Sequence, residues 1–316
     1  MMKSLMLSAT ARAMLQDAVD GLSLPEKSLK PKWLYDNRGS ALFEQITGLP
    51  EYYPTRTEAA ILTAHAGRLA GLVPKDGALV ELGSGASIKT RTLLDAGDHF
   101  GAYVPIDISA EFLNQTARDL SLRYPRMTVA PVVGDFTGPI SLPDAVRTLP
   151  KVGFFPGSTI GNLAPPLAQG LLAHARGWPN VEGFILGVDL VKDPRTLIAA
   201  YDDAQGVTAA FIGNILRRLN AEAGATFDLA AFRYKASWDA ARARIDMQLI
   251  STRRQSVRIG GQTIDFARDE PIHVSAARKF TRDSLSHLVG SAGWTVGDIL
   301  TDPEDRFAVA LLVPTP

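Results

Sequence analysis

Residues 78 to 96 read ALVELGSGASIKTRTLLDA, an apolar run that stops at Glu81, breaks into Gly83-Ser84-Gly85 and resumes as a helix-like segment from about Ser87. A short buried strand, a glycine turn and a helix make the opening unit of a doubly wound α/β sheet. The glycines let the backbone come close to a ligand, and the helix offers it a positive N-terminal end. The pattern then repeats. From about Gly77 to Asp189 strand-like runs alternate with segments long enough for crossover helices: ALVEL (78 to 82), AYVPIDI (102 to 108), TVAPVVGDF (128 to 136), KVGFFPGS (151 to 158) and FILGVDL (184 to 190). This rhythm predicts a parallel sheet, whose ligands bind beyond the C-terminal strand ends. Polar residues stand there at Glu81, Asp107, Asp135, Ser158 and Asp189.

After Asp189 the rhythm changes. Residues 196 to 222 read as helical, and RIDMQLISTRRQSVRIGGQTIDFA alternates like an antiparallel hairpin turning at Gly260-Gly261. The last segment returns to a helix, a strand and an apolar strand able to close the sheet antiparallel. The expected division is therefore a sheet domain of residues 58–192 and 282–316, with an α+β unit of residues 193–281 inserted before the sheet ends and grouped with residues 1–57.

Composition narrows the partner. Lys plus Arg (33) balances Asp plus Glu (33), so no global field holds nucleic acid or an anionic membrane, and a small molecule is the expected ligand. The absence of cysteine removes disulfides, thiolate nucleophiles and cysteine-ligated metal centres. The five histidines, His65, His99, His174, His273 and His287, are scattered without metal-ligand spacing, and no metal site is expected. The N-terminal MMKSLMLSATARAML is interrupted by polar residues, and no stretch has the length of a membrane span. A cytoplasmic monomer is expected.

The glycine turn itself favours a nucleoside over a dinucleotide. The nicotinamide fingerprint needs a third glycine where this chain has Ile88. Asp107, at the second strand end, is placed to accept the two ribose hydroxyls. At the third strand end Asp135 can accept from an adenine amino group and Phe136 can pack on its face, while Lys89 can reach a carboxylate. Adenosine with an amino-acid tail satisfies all of these, which points to S-adenosylmethionine. The competing reading is a tight strand-to-helix turn with solvated acids at the strand ends.

LYDNRGSALFEQITGLPEYYPTRTE, VELGSGASIKTRTLLDA, GDF, FFPGSTIGNL and GVDLVKDPRTLIAAYDDAQGVTAAFIGNIL together resemble the histidine-specific methyltransferases. The resemblance runs from about Leu34 to the C-terminus, closest up to about Leu216 and looser beyond. It implies a class I methyltransferase, Rossmann-like doubly wound sheet with an inserted α+β substrate domain. It also implies methyl transfer from S-adenosylmethionine to the α-amino nitrogen of L-histidine, giving hercynine on the way to ergothioneine. By motif, Tyr35, Gly83, Lys89, Asp107, Asp135 and Phe136 correspond to the cofactor shell. Tyr52, Asn162 and Tyr201 correspond to the residues holding the amino acid's amino and carboxylate groups, with Tyr35 and Asn162 in the catalytic role. For each tyrosine the bland alternative is a half-buried core aromatic.

The chain departs from the family at the side-chain pocket. The family pattern carries a Glu and, two residues later, a Ser ahead of a Lys-aromatic pair, and these read the imidazole. Aligned on Lys279-Phe280, the Glu place holds Ser275 and the Ser place Ala277, while Met247 keeps the apolar side. Amino-acid N-methylation therefore follows more directly than histidine does. Ser275, His273 or a water could restore the missing hydrogen bond, or the substrate could be another, aromatic amino acid. A catalytically silent module binding cofactor and amino acid is the alternative from another class.

Overall fold

The computed structural model describes residues 8–85 and 87–316. Residues 1–7, the start of the N-terminal segment read above for a membrane span, and Ala86 of the glycine turn lie outside the described residues. The strands are β1 (Ala78–Leu82), β2 (Ala102–Asp107), β3 (Thr128–Val129), β4 (Val132–Val133), β5 (Lys151–Phe155), β6 (Val181–Asp189), β7 (Phe232–Asp239), β8 (Arg244–Ser251), β9 (Gln255–Ile259), β10 (Gln262–Phe266), β11 (Pro271–Arg278), β12 (Trp294–Thr301) and β13 (Phe307–Pro314). The helices are α1 (Ala9–Leu22), α2 (Asn37–Thr47), α3 (Tyr53–Ala64), α4 (Ala66–Ala70), α5 (Ile88–Leu94), α6 (Ala110–Arg123), α7 (Asp144–Arg147), α8 (Pro165–Arg176), α9 (Pro194–Tyr201), α10 (Val207–Ala223) and α11 (Arg282–Gly290). None is long and apolar enough to cross a membrane.

The chain divides into two compact units, Met1–Tyr53 with Lys192–Arg278, and Pro54–Val191 with Lys279–Pro316. The second unit holds the large sheet, ordered β12-β13-β6-β5-β1-β2-β3, with β4 also on β2. Its first strands run parallel, while β13 lies antiparallel on β6 and β12 antiparallel on β13. β1 and β5 are buried at every position, as a sheet covered on both faces requires. Alternate residues feed separate cores: Val80, Val104, Phe155 and Leu186 pack in one, Leu79, Tyr103, Phe154 and Ile185 in the other. The order reverses between β1 and β5, because the chain leaves β1 towards β2 and leaves β5 towards β6. That reversal opens the crevice in which such sheets bind ligands.

Three elements differ from expectation. The third strand survives only as β3 and β4, parted at Ala130-Pro131, where proline has no N–H for the ladder. The helix expected over 196 to 222 splits into α9 and α10, since Asp203 caps α10 by accepting from Val207 N (2.9 Å) and Thr208 N (2.8 Å). The hairpin at Gly260-Gly261 joins only β9 and β10; RIDMQLIS is β8, the centre of a separate sheet ordered β11-β8-β7. This small sheet, the hairpin and helices α1, α2, α9 and α10 build the other unit around Met14, Leu34, Ile215, Leu249 and Phe266.

Where the chain returns to the large sheet, Lys279 Nζ stands 2.6 Å from Asp189 Oδ2, the two side chains 1% and 0% exposed. Phe280 N donates to Asp189 O (2.9 Å) and Val191 N to Phe280 O (3.0 Å), which stitches the returning strand to the end of β6. Lys279→Met would leave a carboxylate buried without its counter-charge and is expected to cost about 3–5 kcal/mol of stability in urea unfolding. Adding Asp189→Asn is expected to recover part of that loss.

Candidate functional site

At the end of β1, Gly83 has φ +66°, and a Cβ there would stand 3.2 Å from the ring of Phe136. Only glycine accepts both the conformation and the ring. Phe136 is fixed in turn by an edge-on contact with Phe155, ring centres 5.2 Å apart. Asp107, at the end of β2, accepts from Gly85 N (3.0 Å) and Ser109 N (3.0 Å), so one carboxylate sets both the glycine turn and the start of α6. Asp135 is exposed and accepts from Thr137 N (2.9 Å) and Thr137 Oγ1 (2.6 Å). Gly83, Asp107, Asp135 and Phe136 therefore gather at neighbouring strand ends.

Glu81 does not face outward. It is 2% exposed, and its Oε2 accepts from Thr90 Oγ1 (2.5 Å) and from the Tyr103 hydroxyl, which is itself bonded to Ser87 Oγ (2.8 Å). Burial pushes its pKa up to about 7, against the lowering effect of these donors and of the Lys89 charge. The same network holds Ser87, a non-glycine residue at φ +51°, at the start of α5. Ser158 and Asp189 are also taken up internally, since Ser158 Oγ accepts from Asp189 N (2.9 Å) and Asp189 pairs with Lys279. Of the five polar strand ends, only Asp107 and Asp135 keep appreciable exposure.

Lys89, expected to reach a ligand carboxylate, is ion-paired with Glu58, a residue fully withdrawn from solvent. Glu58 also accepts from Gly157 N through both oxygens, at 2.8 and 2.9 Å. Beyond Gly157 the chain makes one 3₁₀ turn, Thr159–Asn162, and presents Asn162 exposed at its end.

The remaining candidates belong to the other unit. Tyr52 is buried and meets Tyr201 edge-on, ring centres 5.8 Å apart; Tyr201 O accepts from the Tyr234 hydroxyl (2.6 Å). Tyr35 packs edge-on against Phe43 (5.9 Å) and Phe211 (5.4 Å) and remains 46% exposed. On the small sheet Ser275 lies opposite Met247, and Ala277 opposite Ile245, so these residues share one face. Met247, Ala277, Tyr52 and Tyr201 join the same apolar cluster. A bulge between His273 and Ser275 shifts the register. His273 therefore pairs with Gln248 on the opposite face and bonds Asp246 there (3.1 Å). It is not a stand-in for the missing imidazole reader on the Met247 face.

A family described as histidine-specific methyltransferase, SAM-dependent, matches residues 14–314. The chain belongs to that family. A histidine N-alpha-methyltransferase of Mycobacterium tuberculosis is 44% identical over 305 residues, covering 95% of this chain and 94% of that protein. One from Mycolicibacterium smegmatis is 40% identical over 315 residues, covering 96% of each. The ergothioneine biosynthesis protein 1 of Neurospora crassa is 35% identical over 203 residues, 61% of this chain and 23% of that protein. The molecule is thus an S-adenosylmethionine-dependent methyltransferase with the class I fold. Its glycine turn fits the cofactor: Ser84 Oγ is buried there with no hydrogen-bond partner among the described residues, and a Cβ on Gly85 would meet nothing within 4 Å.

Sequence reasoning missed Glu58, Tyr103, Thr90 and Ser87, all of which act through contacts formed only in the fold. Glu58 stood inside the TRTE of a motif already quoted, but its burial, and that of its neighbour Thr57, appears only in the fold. Glu81 generates a pH test. Between about 4.5, its ordinary value, and about 7 the folded protein holds a proton that the unfolded chain releases, so stability falls as pH rises through that window. Glu81→Gln keeps an acceptor for Thr90 and Tyr103 without titrating. It is expected to match the wild type near pH 4 and exceed it by roughly 3 kcal/mol at pH 8 in urea unfolding.

Proposed function

We propose that this methyltransferase acts on the α-amino nitrogen of an amino acid, with L-histidine the leading substrate and Nα-trimethylhistidine the product, in a cytoplasmic monomer. The observation that carries the reading is the Tyr52–Tyr201 ring pair in the same apolar cluster as Met247 and Ala277. Two hydroxyls able to hold a carboxylate thus belong to the same packed group as a surface able to meet a side chain. The names of the mycobacterial and fungal relatives support histidine and an ergothioneine route.

In this reading the sheet unit binds the cofactor and the other unit the amino acid. Gly83, Lys89, Asp107, Asp135 and Phe136, with Tyr35, hold S-adenosylmethionine, which when bound supplies a methyl group already electrophilic on its sulfonium. The chain's own residues need no nucleophile and no metal. Asn162 and the two tyrosines hold the amino and carboxylate groups, present the amine unprotonated and exclude water. Tyrosine faces also favour the positive charge that grows on nitrogen. Because these anchors touch only the part common to all amino acids, Asn162→Ala is expected to raise KM for every accepted amino acid by a similar factor. An effect confined to one substrate would refute the anchor assignment.

A second reading comes from Ser275 and Ala277. The face they share with Met247 offers one hydroxyl and no carboxylate, which favours an uncharged aromatic side chain over imidazole. A screen of the twenty amino acids with labelled cofactor, read by mass spectrometry, separates the two, and turnover of any one excludes a silent binding module. Ser275→Glu with Ala277→Ser is expected to improve kcat/KM for histidine about tenfold or more. Efficient wild-type use of histidine, lost in the double variant, would overturn this account of the pocket.

A further inference from the structure

We infer that Glu58 is a positioning residue that couples the cofactor side of the crevice to the turn presenting Asn162. Its carboxylate is fully buried, yet one of its partners is charged and the other is main chain: Lys89 on α5, and Gly157 N at the end of β5. α5 follows β1, so the carboxylate bridges the two strands between which the sheet order reverses. The fold makes room for it there. A Cβ on Gly187 of β6 would overlap Glu58 Oε1, so β6 carries glycine at the one place where the carboxylate must pass.

The charge is not what stability alone would select, since an ion pair taken out of water is commonly no better than well-packed apolar groups. What the arrangement supplies is geometry. Gly157 at φ +81° and Ser158 at φ +55° are both left-handed, and the next residues form the short turn ending at Asn162. Two acceptor bonds to Gly157 N hold that turn from behind. On the other side Lys89 keeps 21% side-chain exposure, and its ammonium has three N–H donors, so Glu58 can fix its position while leaving donors for a ligand carboxylate. Nothing in the pairing places Glu58 against substrate; it acts through Lys89 and Gly157.

This inference rests on the proposed function for its amino-acid arm and on the cofactor alone for the other. Glu58→Gln keeps the shape and one acceptor for Gly157 N but removes the charge. In the folded variant, calorimetry with S-adenosylhomocysteine is expected to give a Kd raised about tenfold, and the KM of an accepted amino acid is expected to rise by about the same factor. A purely structural role would lower Tm and leave both constants alone. Either constant unchanged in the folded variant overturns the coupling. Glu58→Asp, which keeps the charge on a shorter arm, is expected to move both constants in the same direction and decides the matter if Glu58→Gln does not fold. If the wild type turns over no amino acid, the proposed function fails and the homocysteine arm decides the inference alone.

Discussion

A carboxylate without access to water spans the line along which the sheet reverses its order, and the crevice there depends on it. Three elements meet at Glu58: its own helix α3, Lys89 on α5 and the left-handed turn after β5. None of the three conformations is cheap on its own. A buried carboxylate needs a counter-charge and donors, a half-buried lysine gains from an anion, and a turn with consecutive left-handed residues needs something to hold it. Each requirement is met by one of the others. The result is a mutually satisfied set of contacts at the C-terminal ends of β1 and β5.

Beside these contacts stands a second buried acid with opposite needs. Glu81 has the neutral hydroxyls of Thr90 and Tyr103 as its direct side-chain partners among the described residues, so burial wins and its pKa rises to about 7. The two glutamates lie close enough to influence each other, and Glu58 is among the causes raising Glu81. One ammonium serving two buried carboxylates is economical only if one of them can take a proton near neutral pH. Glu58 has the ion pair, and Glu81, with its pKa raised by burial, takes a proton near neutral pH.

The large sheet was legible in the residues because its central strands are buried on both faces and written in continuous apolar runs; β1, β5 and β6 needed no pattern finer than that. The broken third strand was less so, because a run rich in valine hides the effect of one proline on the ladder. The same holds for α9 and α10, where helical periodicity runs straight across the Asp203 cap. For the site, Gly83, Asp107 and Phe136 were readable as local motifs at strand ends. Glu58 was not, since its partner Gly157 lies 99 residues away and no spacing connects them. The bulge before Ser275 was equally hidden. Simple alternation would put His273 and Ser275 on one face, and a single extra residue sends them to opposite faces.

That extra residue bears on how specificity can change within such a family. Because the bulge decides which side chains of β11 share the face of Met247, Ser275 and Ala277 lie there together with Ile272, across from Met247, Ile245 and Leu249, and under the proposed function the two small residues are the ones that read the substrate side chain. They sit on the edge strand β11 of a three-stranded sheet whose core is shared with the helices and the hairpin of its own unit. The cofactor turn, the Glu58 bridge and the Asp189–Lys279 pair all belong to the other unit. Under the proposed function, substitution at Ser275 or Ala277 changes what the small sheet recognises without touching the Glu58 bridge or the Asp189–Lys279 pair. In that reading, separate cores let the chemistry of methyl transfer stay constant while the side chain admitted to it varies.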